Sequence, residues 1–158
     1  MNAIKYKMPV LLVKDISISK KFYQDIFSLE IEHDFGANIV FKDTISLWQK
    51  NSAGNIIFND ESKIKLIKNK NLELYFESDD IEKFHEELIQ KSINLIHRLK
   101  EEPWGQRTIR FFDPDNFIIE IAEPVEGVVS RLFKSGLSHE EISKKTQLPL
   151  KIVKKILK

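Results

Sequence analysis

The chain has 158 residues, 42% of them apolar and 31% charged, with a formal net charge of +1. That length and apolar content suit one domain with a small appendage and argue against disorder of the whole. The absence of cysteine excludes disulfides, thiol catalysis and zinc–thiolate sites, and no segment approaches the roughly 18 uninterrupted apolar residues of a bilayer span, so a soluble, cytoplasmic protein without a membrane partner is expected.

Met8–Val13 reads as a first strand, ended by Lys14-Asp15. Ile18, Phe22, Tyr23 and Ile26 then recur at helical spacing, with Asp15 or Ser17 as the cap. Leu29–His33, Asn38–Phe41 and Thr44–Gln49 follow as three strands, parted by Phe35-Gly36-Ala37 and Lys42-Asp43.

The same order returns. Leu72–Glu77 is a strand, Asp79-Asp80 opens a helix with Ile81, Phe84, Leu88 and Ile89 on one face, and Ile93–Leu99 is the next strand. Thr108–Phe112 and Phe117–Ala122 close the segment across the turn Asp113-Pro114-Asp115-Asn116. An offset of 65 residues carries Asp15-Ile16 onto Asp80-Ile81 and Met8 onto Glu73, and it grows to 74 where Ser46 meets Glu120. A helix covers only one side of each half, so the other sides are left to enclose a cavity. The predicted fold class is α+β: two βαβββ repeats forming a curved mixed sheet around a cavity, plus a short all-helical C-terminal tail.

The tail sets the domain boundary, with a body over residues 1–125 and a basic extension over 126–158. Val128–Phe133 is a helix ended by Ser135-Gly136, Ser138 with Glu141 forms a capping box, and Leu148-Pro149-Leu150 turns into the last helix, Lys151–Leu157. Ile142, Leu148, Ile152, Val153 and Ile156 are its shared core, in the manner of a small helix-turn-helix. From Val128 onward eight basic residues face two acidic ones, net +6, leaving net −5 before it. Lys151, Lys154, Lys155 and Lys158 suit a phosphate backbone, but the last helix has no arginine, asparagine or glutamine to read base edges. A nucleic-acid partner is therefore not expected, and docking of the tail on its own acidic body is the competing reading.

Glu120 is the one carboxylate in the apolar strand Phe117–Ala122, and alternation turns it away from Phe117, Ile119 and Ile121. Glu73, Tyr75 and Glu77 likewise oppose Leu72, Leu74 and Phe76. An ionised carboxylate inside a concave sheet requires a cation or a hydrogen-bonding partner. If Glu73 and Glu120 meet, one has a raised pKa and is a candidate general acid or base; the alternative is a salt bridge to Arg110 or Arg107. In Pro103-Trp104-Gly105-Gln106-Arg107, Trp104 offers a stacking face or a packing lid, and Arg107 a clamp for an anion. Trp48 shares parity with Ser46, and Arg110 with Thr108 and Phe112, so both are candidate pocket residues.

Val13-Lys14-Asp15, Phe22-Tyr23, Asp79-Asp80-Ile81 and the stretch Phe112-Asp113-Pro114-Asp115-Asn116 through Ile119-Glu120-Ile121, set in a duplicated unit, resemble the vicinal oxygen chelate superfamily of glyoxalase I, the bleomycin- and fosfomycin-resistance proteins and the extradiol dioxygenases. The resemblance spans Ile4–Pro124. It implies four metal-ligand positions, which fall here on Met8, Ser46, Glu73 and Glu120, so only Glu73 and Glu120 remain as metal candidates in a half-dismantled site. A thioether and a hydroxyl are poor ligands for the family's divalent ions. His33 and His97 lie on second strands where the family does not usually place ligands, while His85 and His139 are set aside on an exposed helix side and in the tail. The resulting expectation is a small-molecule-handling protein with Glu73 and Glu120 as catalytic candidates and Trp48, Tyr75, Trp104, Arg107 and Arg110 as ligand contacts. The cofactor is unknown, a divalent metal is not favoured, and a homodimer is expected. The alternatives are a metal-dependent lyase or isomerase of glyoxalase type, a dioxygenase-type member, and a ligand-responsive DNA-binding regulator.

Overall fold

A computed structural model of the chain describes residues 3–65 and 71–158. Its order is β1 (Val10–Val13), α1 (Ile16–Phe27), β2 (Ile31–Asp34), β3 (Asn38–Phe41), β4 (Ser46–Gln49), α2 (Lys50–Phe58), β5 (Glu73–Glu77), α3 (Ile81–Gln90), β6 (Leu95–Glu101), β7 (Arg107–Phe112), β8 (Ile118–Ala122), then α4 (Val125–Lys134), α5 (His139–Thr146) and α6 (Leu150–Ile156). Contacts divide the chain into two compact units, Met1–Asn69 with Asp113–Phe117, and Lys70–Phe112 with Ile118–Lys158.

In the first unit the strands lie in the order β1-β4-β3-β2, with β1 parallel to β4 and the other pairs antiparallel. Leu11, Val13, Ile39, Phe41 and Leu47 are all within 1% of full burial, and α1 packs on β3 and β4 with Tyr23 wholly buried. Asp15 caps α1, its carboxylate accepting the N–H groups of Ser17 and Ile18. The signature turn Asp113-Pro114-Asp115-Asn116 belongs to this unit. Tyr23 donates its hydroxyl hydrogen bond to Asp113 at 2.9 Å, and Asp115 accepts from the Ser19 hydroxyl and the Lys14 N–H, each at 2.9 Å. These turn residues are therefore a structural clasp on the first turns of α1.

The second unit repeats the topology, β5-β8-β7-β6, with β5 parallel to β8. Leu74, Ile109, Phe111, Ile119 and Ile121 are buried, and α3, capped by Asp80, packs across β6 and β7 through Ile81 and Leu88. The sheets are thus two separate four-stranded ladders, each carrying a βαβββ motif. Ile89 departs from the helical-face expectation, being 45% exposed. The C-terminal helices build their own small core from Val128, Val129, Leu132, Ile142 and Val153, with Leu148 and Ile156 packed against it, and Ser138 and Glu141 form the expected capping box. Among the described residues no helix is long and apolar enough to cross a membrane.

Helix α2 has no counterpart in the sequence pattern, because Gly54 interrupts it and no side chain caps its start. The glycine is there for space: a Cβ would come within 2.9 Å of the Asp60 carbonyl oxygen and Glu61 Cα.

Candidate functional site

The strand ladder of the second unit decides which side chains meet. Tyr75 lies opposite Glu120 across β5 and β8, Glu120 opposite Arg110 across β8 and β7, and Arg110 opposite His97 across β7 and β6. Directly opposed residues share a face, so the row Tyr75, Glu120, Arg110, His97 crosses the side of the sheet not covered by α3. Glu120 is 5% exposed, the deeply buried carboxylate that alternation predicts.

Arg110 ties the row together. Its Nε donates to Glu73 at 2.7 Å, its Nη1 to Glu102 at 2.8 Å, and its Nη2 to Glu120. Glu102 also accepts from the buried Thr108 hydroxyl at 2.9 Å and pairs with Lys100 at 3.2 Å. Three carboxylates thus face two cations. Burial pushes the Glu120 carboxyl above the ordinary glutamate range, opposed by the Arg110 charge and reinforced by Glu73. For Glu102 burial acts in the same direction, but the hydrogen bonds from Arg110, Thr108 and Lys100 together outweigh it and hold the carboxyl low. The two carboxylates share one guanidinium and are driven apart, Glu120 toward the protonated form and Glu102 toward the ionised one.

The loop after β6 borders this face. Trp104 Nε1 donates to Gln106 Oε1 at 3.0 Å, and Gln106 Nε2 donates to the Tyr75 hydroxyl at 3.2 Å and to the Glu123 carbonyl at 2.8 Å. Tyr75 in turn donates to Glu77 at 2.8 Å, and burial followed by that carboxylate raises its pKa. Gly105, at φ +87, supports the turn: a Cβ there would meet Lys145 and Leu132 of the C-terminal helices at 3.0 and 3.2 Å. Trp104 and Gln106 line a cavity of about 60 Å³ with Val125, Val128, Thr146 and Leu148. That volume is far below the roughly 300 Å³ at which drug-sized pockets begin, so it admits little more than solvent.

Arg107 belongs to a different cluster. It donates to Glu123 at 3.2 and 3.1 Å and to Glu82, while Arg131 of α4 donates to the same Glu123 carboxylate at 2.9 to 3.2 Å, to Glu101 at 3.0 Å and to the Gly105 carbonyl. Lys145 of α5 pairs with Glu101 at 2.6 Å. Burial pushes the Glu123 carboxyl up, but the two arginines prevail and hold it below the usual range. The other candidates lie in the first unit: Trp48 is half-buried opposite Leu12 and Asn38, Met8 precedes β1, and the buried Ser46 donates its hydroxyl hydrogen bond to the Ile39 carbonyl at 2.9 Å. Glu102, Gln106 and Glu123 escape sequence reasoning because two lie in a loop and one just beyond a strand, where alternation no longer assigns a face. His85 is half-buried, its Nε2 3.5 Å from the Leu99 N–H, rather than fully turned to solvent.

A divalent ion bound through Glu73 and Glu120 is not supported by this donor set. Both carboxylates are committed to one guanidinium, and the Ser46 hydroxyl is spent on a backbone carbonyl. Among the described residues no three His, Asp or Glu side chains converge closely enough to hold a metal.

A family model for a glyoxalase-like domain matches residues 6–126. The chain belongs to that family. The glyoxalase-like fold is seen again in a protein of unknown function from Agrobacterium tumefaciens, 33% identical, with a TM-score of 0.71 over 79% of this chain and 98% of that one. A lactoylglutathione lyase from Agrobacterium tumefaciens matches at 20% identity and a TM-score of 0.60, over 78% of this chain and 95% of that one. A genomically encoded fosfomycin resistance protein from Listeria monocytogenes matches at 18% and 0.59, over the same shares. The lyase and the resistance protein share the fold of this chain. No curated protein sequence matches it. The family match ends at residue 126, so α5 and α6 and nearly all of α4 lie beyond it.

Proposed function

We propose that this glyoxalase-like domain binds a small molecule on the polar face of β5, β8, β7 and β6, and that the ligand brings positive charge or hydrogen-bond donors. The observation that carries this reading is the excess of carboxylate around Arg110: Glu73, Glu102 and Glu120 against Arg110 and Lys100. An anionic ligand would meet like charge, and the donors of Arg110 are already directed at protein carboxylates. Glu73, the most open of the three, is the ligand's first contact, and Tyr75 and Trp104, 52% and 40% exposed, supply the aromatic faces. Arg107 serves the loop rather than the ligand in this reading.

Catalysis on the same face is the second reading, favoured by the raised carboxyl of Glu120 beside Glu73. Glu120 would then act as general base, taking a proton from the ligand. The C-terminal helices we read as a prop for the Trp104 loop, because Arg131 and Lys145 are spent on Glu101, Glu123 and Gly105 of the body. A homodimer is part of the proposal and is read by sedimentation.

Tryptophan fluorescence titration with two probes of opposite charge tests the binding reading. Cationic bleomycin is expected to bind more tightly than the phosphonate fosfomycin, and Glu73→Gln is expected to erase most of the preference. A preference for fosfomycin, or bleomycin binding that Glu73→Gln leaves untouched, overturns it.

A further inference from the structure

The surroundings of Arg110 are those of a cation site. Oxygens of Glu73 and Glu102 lie 2.7 and 2.8 Å from its nitrogens, Glu120 contacts Nη2, and His97 Nε2 lies 3.2 Å from Nη1. His97 Nδ1 is 2.8 Å from the Arg98 carbonyl. The tautomer that satisfies both contacts has Nδ1–H donating to that carbonyl and the Nε2 lone pair facing the guanidinium, the arrangement by which backbone carbonyls orient metal-binding imidazoles. Three carboxylates and one imidazole are donor types that Zn²⁺ takes, but around the guanidinium no three of them converge closely enough to hold an ion. Here the charge they face is a side chain of the same protein.

We propose that Arg110 is a resident cation: its guanidinium takes the place of a divalent ion among Glu73, Glu102, Glu120 and His97, makes the face independent of metal, and masks a latent divalent-cation site. The guanidinium is broader than an ion and keeps the donors apart. Once it is gone, the mutual repulsion of three carboxylates is relieved either by protonation or by capture of a cation. The inference uses the side chains of the proposed ligand face but stands without any ligand.

Zn²⁺ titration of the full chain by calorimetry, with the ion count from native mass spectrometry, tests it. The unmodified chain is expected to show no site that depends on Glu120. Arg110→Met is expected to gain one Zn²⁺ per chain with at least about tenfold higher affinity, and the further change Glu120→Gln to remove the gain. If Arg110→Met does not fold alone, Zn²⁺ is expected to restore its circular dichroism. A Zn²⁺ ion held by the unmodified chain and lost in Glu120→Gln overturns the proposal. So does a folded Arg110→Met that gains no site, or an unfolded one that Zn²⁺ does not rescue. The bleomycin titration can fail while this one succeeds, so the two readings fall separately.

Discussion

Each unit of the molecule carries the same row of four residues across its ladder. In the first it is Val10, Ser46, Val40, His33; in the second it is Tyr75, Glu120, Arg110, His97. Even the irregularity in strand pairing recurs, just before His33 and just before His97. Duplication has kept the lattice and let its contents diverge. The first row is satisfied locally, with Ser46 bonded to a carbonyl of the adjoining strand, while the second depends on one arginine to balance carboxylates from three elements. A scaffold that fixes register so closely makes a new function a matter of side-chain choice on one face.

Removing the arginine strikes at the interdependence of the second row. Arg110→Met leaves Glu120 and Glu102 buried without their shared partner, a loss expected to cost roughly 3 kcal/mol because a buried charge is stranded. Urea unfolding measures it. A cost near zero would mean that the carboxylates find water or other partners, and the second row would be no more interdependent than the first.

The next test turns on how the two units handle buried carboxylates. Glu102 and Glu123 in the second unit are held low by cations, so their stabilisation is present above the unfolded pKa and lost as pH falls toward their folded values. Asp113 in the first unit receives neutral donors, the N–H groups of Asp115 and Phe117 and the Tyr23 hydroxyl, and burial pushes its carboxyl up to about 6. Its folded form therefore holds a proton that the unfolded chain releases, and its contribution to stability falls as pH rises from about 4 to about 6. A shift of that size corresponds to about 3 kcal/mol as an upper figure. Asp113→Asn keeps the acceptor for both N–H groups and lets Tyr23 accept from the new amide. Relative to the unmodified chain, it is expected to gain stability between pH 4.5 and pH 8, measured by thermal unfolding at each. The opposite trend would show that Asp113 is ionised and stabilising, like its counterparts in the other unit.

Much of this contrast can be read from the sequence, and the boundary has a physical cause. Alternation alone turns Glu120 and Glu73 off the α3-facing side, and it puts Arg110 with Thr108 on the same side of β7. Which of them touch depends on register between strands far apart in sequence, and a period-two pattern carries no register between strands. Glu102 lies beyond the regular part of β6, so nothing in the pattern marks it as a partner of Arg110. Arg131 reads as one of many basic residues in the tail, yet the fold aims it at Glu123 and the Gly105 carbonyl. Helix α2 goes unseen because the close approach that demands Gly54 is made by a segment that follows it.

Ser46, the counterpart of Glu120, is expected to matter least. Its hydroxyl is buried and donates to the Ile39 carbonyl at 2.9 Å, with Asn38 Oδ1 a longer 3.4 Å away. Ser46→Ala removes one neutral hydrogen bond and leaves no charge behind, so it is expected to cost about 1 kcal/mol or less. It should leave bleomycin binding unchanged if the ligand face is confined to the second unit. The stability half is read in the same urea series as Arg110→Met, and the comparison needs the first cost to be clearly the smaller. The binding half is more discriminating, because a Ser46→Ala variant that folds normally but loses the probe would mean that the unadorned row also contributes to the site. The division between a structural copy and a working copy would then be wrong, although the lattice they share would still stand.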